Sequence, residues 1–285
     1  MLRATHTTTY LYSEPVSICH TEVHLAPRSG PNQRVLEHRV FINPAPGFTT
    51  DRKDYFGNDV TYFSIHEPHQ TLTITAESLI EIEHSSPLDP RLTPAWEVAR
   101  DEVRRHADVH TLDAFQYVFE SPRVTSGPDF AAYAAPSFPA DRPLLEAALD
   151  LCHRIYTEFH YDRRATTVST PVAEVLQSRR GVCQDFAHLT LACFRSLGLA
   201  ARYVSGYLRG EEMTGSEASH AWVSVFCPGF GWFDLDPTND VRADGHHLTL
   251  AWGRDYSDVA PVKGVALGGG EQIINVAVEV AAVSA

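Results

Sequence analysis

The chain has 285 residues, is 44% hydrophobic and 21% charged, and carries 23 Lys and Arg against 36 Asp and Glu, a net charge of −13 with neutral histidine. Such a composition belongs to a folded globular protein with room for one large or two modest domains, and it excludes a mini-protein or a disordered tail. The acidic balance argues against nucleic acid and against a membrane surface as partners, since both are met through a cationic footprint.

No apolar leader opens the sequence, and no run approaches the ~18 apolar residues of a membrane span. Five cysteines (Cys19, Cys152, Cys183, Cys193, Cys227) without a Cys-x-x-Cys pair fit a reducing cytoplasm, with at least one thiol free. Residues 1–84 read as β structure: runs at 7–12, 19–25, 39–42, 60–65 and 71–82 are separated by Pro, Gly, Asn and Asp clusters, as in a small β-sandwich. Between residues 72 and 82 the alternation is clear, with Leu72, Ile74 and Ala76 on one face and Thr71, Thr73 and Thr75 on the other.

A Pro-rich stretch from His84 to Pro90 marks a boundary. Beyond it, residues 85–141 form a connector with short helices at 94–106 and 112–119 and a Pro/Ala-rich link from Pro122 to Pro139. A third domain, 142–285, opens on a helix from Pro143 to Phe159 whose stripe of Leu145, Leu149, Cys152, Ile155, Tyr156 and Phe159 faces a core. Thr170-Pro171 starts a helix that stops at Gly181, and a second helix runs from Cys183 to Leu197 with Gly198 as its stop. Strand-like runs follow at 201–208, 220–226 and 231–237, joined by an acidic loop (Glu211, Glu212, Glu217) and the turn Cys227-Pro228-Gly229; Gly268-Gly269-Gly270 precedes a closing strand at 273–280. Helices feeding an antiparallel sheet give an α+β fold.

Cys183 stands just after Gly181-Val182, at the first turn of its helix. Free backbone N–H groups and the helix dipole favour an anion there, so a thiol ordinarily near pKa ~8.5 is drawn toward the nucleophilic thiolate. The same N–H groups can hold the oxyanion of an acyl transfer. His220 opens one strand and Asp236 closes the next, so an antiparallel pair can set them side by side. Nucleophile, base and orienting carboxylate then occur in that order. Asp234, on the same strand face as Asp236, competes for the carboxylate role. A metal site from Cys183, His188, His220, His246 and His247 has the wrong spacing: Cys183 and His188 are about 500° apart around a helix.

The segments Gly-Val-Cys183-Gln-Asp-Phe-Ala-His, Ser-His220-Ala-Trp-Val and Gly-Trp-Phe-Asp-Leu-Asp236-Pro-Thr resemble the three signatures of the transglutaminase-like superfamily, in its bacterial cysteine-protease branch. Tyr10-Leu-Tyr-Ser-Glu-Pro-Val, Leu25-Ala-Pro-Arg and Asp54-Tyr-Phe-Gly-Asn58 are similar to the β-rich N-terminal domain of that branch, and Gly253 to Val262 completes the pattern. The resemblance implies a papain-like core of helices packed on an antiparallel sheet, preceded by that β domain. It implies that Cys183 attacks an amide, His220 moves the proton and Asp236 holds the imidazole, with Gln184, His188 and Trp222 as supporting candidates and no metal or cofactor. A thioacyl-enzyme resolved by an amine gives transamidation; resolved by water it gives hydrolysis of a protein, peptide or small amide. The alternative is a catalytically silent protein-binding module that keeps the fold.

Overall fold

β1 (Leu2–Val23) is one strand of 22 residues, where the sequence reads as two runs. Its pairing register jumps between Leu11 and Val16, so Ser13, Glu14 and Pro15 form an irregularity that bends the strand without ending it. Around it lie β2 (Gln33–Asn43), β3 (Phe48–Lys53), β4 (Asp59–Ile65) and β5 (His69–Ile82), antiparallel in the order β2-β5-β1-β4-β3. β5 pairs with the first half of β1 and β4 with the second, so one hydrogen-bonded sheet curls until its two halves close on a core of Val16, Cys19, Val23, Phe63, Ile65, Leu72, Ile74 and Ala76. β3 escaped the sequence reading because Phe-Thr-Thr-Asp-Arg-Lys buries none of its side chains and so carries no alternation.

The computed structural model describes residues 1–83, 88–210, 213–215, 218–243 and 245–283. Part of the expected boundary, 84–87, and Glu211, Glu212 and Glu217 of the acidic loop lie outside them. Four helices follow the first sheet: α1 (Trp96–Arg105), α2 (Val109–Phe115), α3 (Pro128–Ala134) and α4 (Leu144–Glu158). α3 falls within the stretch read as a link. Pro128 starts it, and buried Phe130 and Tyr133 hold it in the core. On α4, Leu145, Cys152 and Ile155 are buried, whereas Tyr156 is 50% exposed, because Ile155 takes the inward position at that turn.

β6 (His160–Tyr161) and β7 (Arg180–Gly181) form a short parallel pair around α5 (Val172–Ser178). α5 ends at Arg179, which takes the left-handed conformation expected of a glycine. Gly181 serves a different purpose: a Cβ there would stand 2.7 Å from that of Asp185. α6 (Cys183–Ser196) is the buried central helix, and Gly198, at φ +79°, follows its end. The second sheet contains β8 (Ala201–Leu208), β9 (His220–Cys227), β10 (Gly231–Asp236), β11 (Val241–Arg242) and β12 (His247–Gly253), antiparallel in the order β11-β10-β9-β8-β12. Ala221, Val223 and Val225 of β9 join Phe186, Leu189 and Cys193 of α6 in one core.

The chain ends with α7 (Tyr256–Val259), β13 (Val262–Gly268) and β14 (Gln272–Ala282). The closing strand, which the sequence puts at the end of the third domain with pairing to the first domain left open, is part of the first sheet. β14 pairs with Leu2–Tyr12 and β13 with Val16–Val23, so the hairpin runs along the edge of β1 that β4 and β5 leave open. Positive φ at Gly268, Gly269 and Gly270 makes the turn that follows the bend.

A second tie joins the halves of the chain at the outer edge of β12. The Gln33 side-chain amide donates to Thr249 O (2.8 Å) and accepts from Thr249 N (2.9 Å), and Asn58 does the same with Trp252 at 2.9 and 3.0 Å. Two amide side chains thus replace the next strand at an edge that would otherwise present bare backbone. Asp54 and Arg28 hold Asn58 in place, and the Arg28 guanidinium lies 3.5 Å from the Trp252 ring centroid. The motifs Leu25 to Arg28 and Asp54 to Asn58 therefore supply Arg28, Asp54 and Asn58 to the clasp between the two sheets, and Gln33 of β2 completes it.

Candidate active site

Val182 is extended and its N–H donates to Asp185 Oδ2 at 2.8 Å, so the third residue of α6 caps the helix while Cys183 begins it. Thr166 donates to the same oxygen at 2.6 Å. Burial raises the Asp185 pKa against these hydrogen bonds. Cys183 is the one partly exposed thiol; Cys19, Cys152, Cys193 and Cys227 are buried, and all five are free. Burial drives the Cys193 and Cys227 thiols above their ordinary range, Cys227 to about 12, which leaves them inert at neutral pH.

His220 and Asp236 project from the same face of neighbouring strands. His220 Nε2 lies 2.9 Å from Asp236 Oδ2, and both side chains are fully buried. The carboxylate also receives Thr238 N on Oδ1 at 2.9 Å and Asn239 Nδ2 on Oδ2 at 2.8 Å. Although burial opposes its ionisation, His220 and His247 hold the Asp236 pKa well below the usual carboxylate range. An ionised carboxylate only accepts, so Nε2 of His220 carries the hydrogen and Nδ1 is the basic nitrogen. Burial lowers the His220 pKa, but the charges of Cys183 and Asp236 and its hydrogen bonds with both outweigh it and lift the value to about 10. Gly215, at φ +93°, closes over the ring: an added Cβ would stand 2.6 Å from Nδ1.

The other candidates have different surroundings. Trp222 is fully buried, stacks beside His220 with ring centroids 6.2 Å apart, and donates its indole N–H to Asp234 Oδ2 at 3.3 Å. Asp234 thus holds the tryptophan, while Asp236 holds the histidine. Gln184 donates to Val168 O at 3.3 Å, tying the start of α6 to the preceding loop. His188 is buried and accepts the Tyr256 N–H on Nε2 at 3.2 Å; burial lowers its pKa to about 4, so it stays neutral and belongs to the core. Among the described residues no group of three or more His, Cys, Asp or Glu is arranged to hold a metal ion.

Sequence reasoning missed Asn239, Asp185 and His247 as members of this cluster. Asn239 follows Asp-Pro-Thr and Asp185 follows Cys-Gln, so both lay within motifs already noted. His247 comes from β12, two strands beyond β9 in the sheet, yet its Nε2 lies 3.1 Å from Asp236 Oδ2. No spacing in the sequence connects those strands.

Residues 2–81 match the bacterial transglutaminase-like N-terminal region, and residues 132–237 match the transglutaminase-like superfamily. An uncharacterized protein of Mycobacterium tuberculosis is 43% identical, covering 98% of this chain and 91% of its own length. A protein-glutamine gamma-glutamyltransferase of Pseudomonas aeruginosa is 30% identical over 31% of this chain and 15% of its own. The crystal structure of a "putative cysteine protease" from Cytophaga hutchinsonii superposes with a TM-score of 0.80 at 22% identity, covering 100% of this chain and 91% of that one, and so shares the fold. No helix among the described residues is long and apolar enough to cross a membrane.

Proposed function

We infer the activity from one premise: the chain belongs to the transglutaminase-like superfamily and carries a bacterial transglutaminase-like N-terminal region. On this reading it is a cysteine-dependent enzyme of amide acyl transfer, acting on peptide or glutamine amides through a thioacyl-enzyme. The observation that carries the reading is the buried His220–Asp236 hydrogen bond, which leaves the basic Nδ1 for Cys183 at the start of α6. A reducing cytoplasm suits the five free thiols.

The chemistry follows from the protonation states. The basic His220 takes the thiol proton, giving a thiolate–imidazolium pair. The thiolate sulfur bonds to the amide carbon as the carbonyl π pair moves to oxygen, where, on this reading, N–H groups at the start of α6 meet the charge. The tetrahedral intermediate collapses, the C–N bond breaks, and the leaving amine takes its proton from the imidazolium. His220, neutral again, then accepts a proton from water or an incoming amine as it attacks the thioester carbon; the new tetrahedral intermediate collapses, the C–S bond breaks, and the product leaves with the Cys183 thiolate restored beside the imidazolium. Asp236 holds one ring orientation and one tautomer throughout.

The test needs no substrate: iodoacetamide modification of each cysteine, read by peptide mass across pH 5–9, in the wild type and His220→Ala. Cys183 is expected to react fastest, with an advantage that the variant loses. Equal rates in both proteins overturn the Cys183–His220 pair. Glutamine peptides, with and without an amine acceptor, then separate transamidation from hydrolysis.

A further inference from the structure

We propose that His247 is a positioning residue that shares the Asp236 carboxylate with His220 and thereby restrains the basicity of His220. The inference rests on the acyl-transfer reading above and deepens it. Asp236 Oδ2 receives three donors: His220 Nε2 at 2.9 Å, Asn239 Nδ2 at 2.8 Å and His247 Nε2 at 3.1 Å. Both imidazoles and the carboxylate are cut off from water, with side-chain exposures of 0%, 2% and 0% for His220, His247 and Asp236. The two imidazole rings lie 6.4 Å apart, and Trp222 packs against both, stacked beside His220 and edge-on to His247 at 5.1 Å. Gly206 keeps β8 clear beneath that indole, since a Cβ there would stand 2.4 Å from it.

The direction of the effect follows from electrostatics. An ionised Asp236 requires the hydrogen of His247 on Nε2, so the positive end of that N–H dipole sits on the oxygen that also holds His220. It satisfies part of the carboxylate charge and disfavours a second positive charge on the neighbouring ring, in an interior where neither effect is screened by solvent. A carboxylate with one donor fewer would hold the proton on His220 more tightly and so weaken the imidazolium as the acid that protonates the leaving amine. Among the described residues, Cys183 of α6 acts on His220, and Cys152 of α4 feels the charges of both Asp236 and Asp240; Asp240 is itself paired with His153.

β12, which carries His247, pairs with β8 on one edge and is clasped by Gln33 and Asn58 on the other, so both sheets hold the strand that presents the second imidazole. The sequence alone placed His247 only in a doubtful metal set.

The experiment is a titration of selectively labelled histidine by NMR in the wild type, His247→Phe and His247→Gln, with His220→Ala assigning the resonance. Phe fills the space without a donor, and Gln restores an N–H. The His220 midpoint is expected to rise by roughly one pH unit in His247→Phe and to stay near the wild-type value in His247→Gln. An unchanged or lower midpoint in His247→Phe, or the same rise in both variants, overturns charge sharing. Nitrogen shifts in the wild type give an independent check: His247 is expected as the Nε2–H tautomer, and an Nδ1–H tautomer overturns the proposal even if neither variant folds. None of these readouts requires turnover, so failure to process any amide would count against the enzymatic reading and leave this one standing.

Discussion

His220 and Asp236, sixteen residues apart, meet at 2.9 Å because β9 and β10 are adjacent antiparallel strands that present both side chains on one face. The sheet sets their orientation, and α6 brings Cys183 to the ring from another part of the chain.

Cys183→Ala is expected to abolish thioacyl formation while changing stability by less than about 1 kcal/mol, because the side chain is partly exposed and its removal opens no core cavity. Urea unfolding, together with mass spectrometry after exposure to an activated amide or ester, checks both halves. Acylation at another cysteine would displace Cys183 from its role.

Asp236→Ala is expected to be severe for stability as well as activity, with a loss of about 3–5 kcal/mol, since it strips a buried carboxylate from His220, His247, Asn239 and the Thr238 amide. Asp234→Ala, which releases the Trp222 indole, is expected to leave Cys183 alkylation far less affected. Equal losses of alkylation in the two variants would refute the division of labour between the carboxylates.

Stability should also follow pH in a defined sense. The pKa of His220 is raised from 6.5 to about 10 on folding, so its contribution is complete below 6.5 and is lost as pH rises toward 10. Asp236 is lowered from 3.8, so its contribution is present above that value and fades on acidification. Both are in force from about pH 4 to 6.5. The melting temperature of the wild type is therefore expected to decline between pH 6.5 and 10, and that slope should flatten in His220→Ala.

Asn58→Ala is expected to cost about 2–4 kcal/mol, because it leaves the Trp252 N–H and C=O and part of Arg28 without their partner in a dry interface. Hydrogen exchange should then rise first along β12. Protection there equal to the wild type would show that the clasp is dispensable.

Gly215→Val is expected to slow Cys183 alkylation although it replaces no ionisable group. Its φ of +93° disfavours a side chain, and the new Cβ would press on His220 Nδ1. Alkylation rates at fixed pH, compared with a control substitution at exposed Gly229, read the effect.

The local chemistry was open to sequence reasoning because it depends on neighbours in the chain. The stripe of α4, the position of Cys183 at a helix start, the stop at Gly198 and the hairpin that aligns β9 with β10 all follow from spacing over a few residues. Asp185 and Asn239 stood within the same motifs, although the atoms they satisfy became evident only in three dimensions.

What tertiary structure alone decided depends on contacts between distant segments. β13 and β14 look like any closing strands, and only the open edge of β1, some 250 residues earlier, determines which sheet they join. Gln33 and Asn58 are ordinary polar residues until β12 presents them with an unpaired backbone. Asp234 and Asp236 share one strand face, so alternation could not separate them; Trp222 on one side and His220 on the other did. His247 reaches Asp236 from a strand that no local pattern connects to it, because hydrogen bonding between distant strands is fixed by packing and not by proximity along the chain.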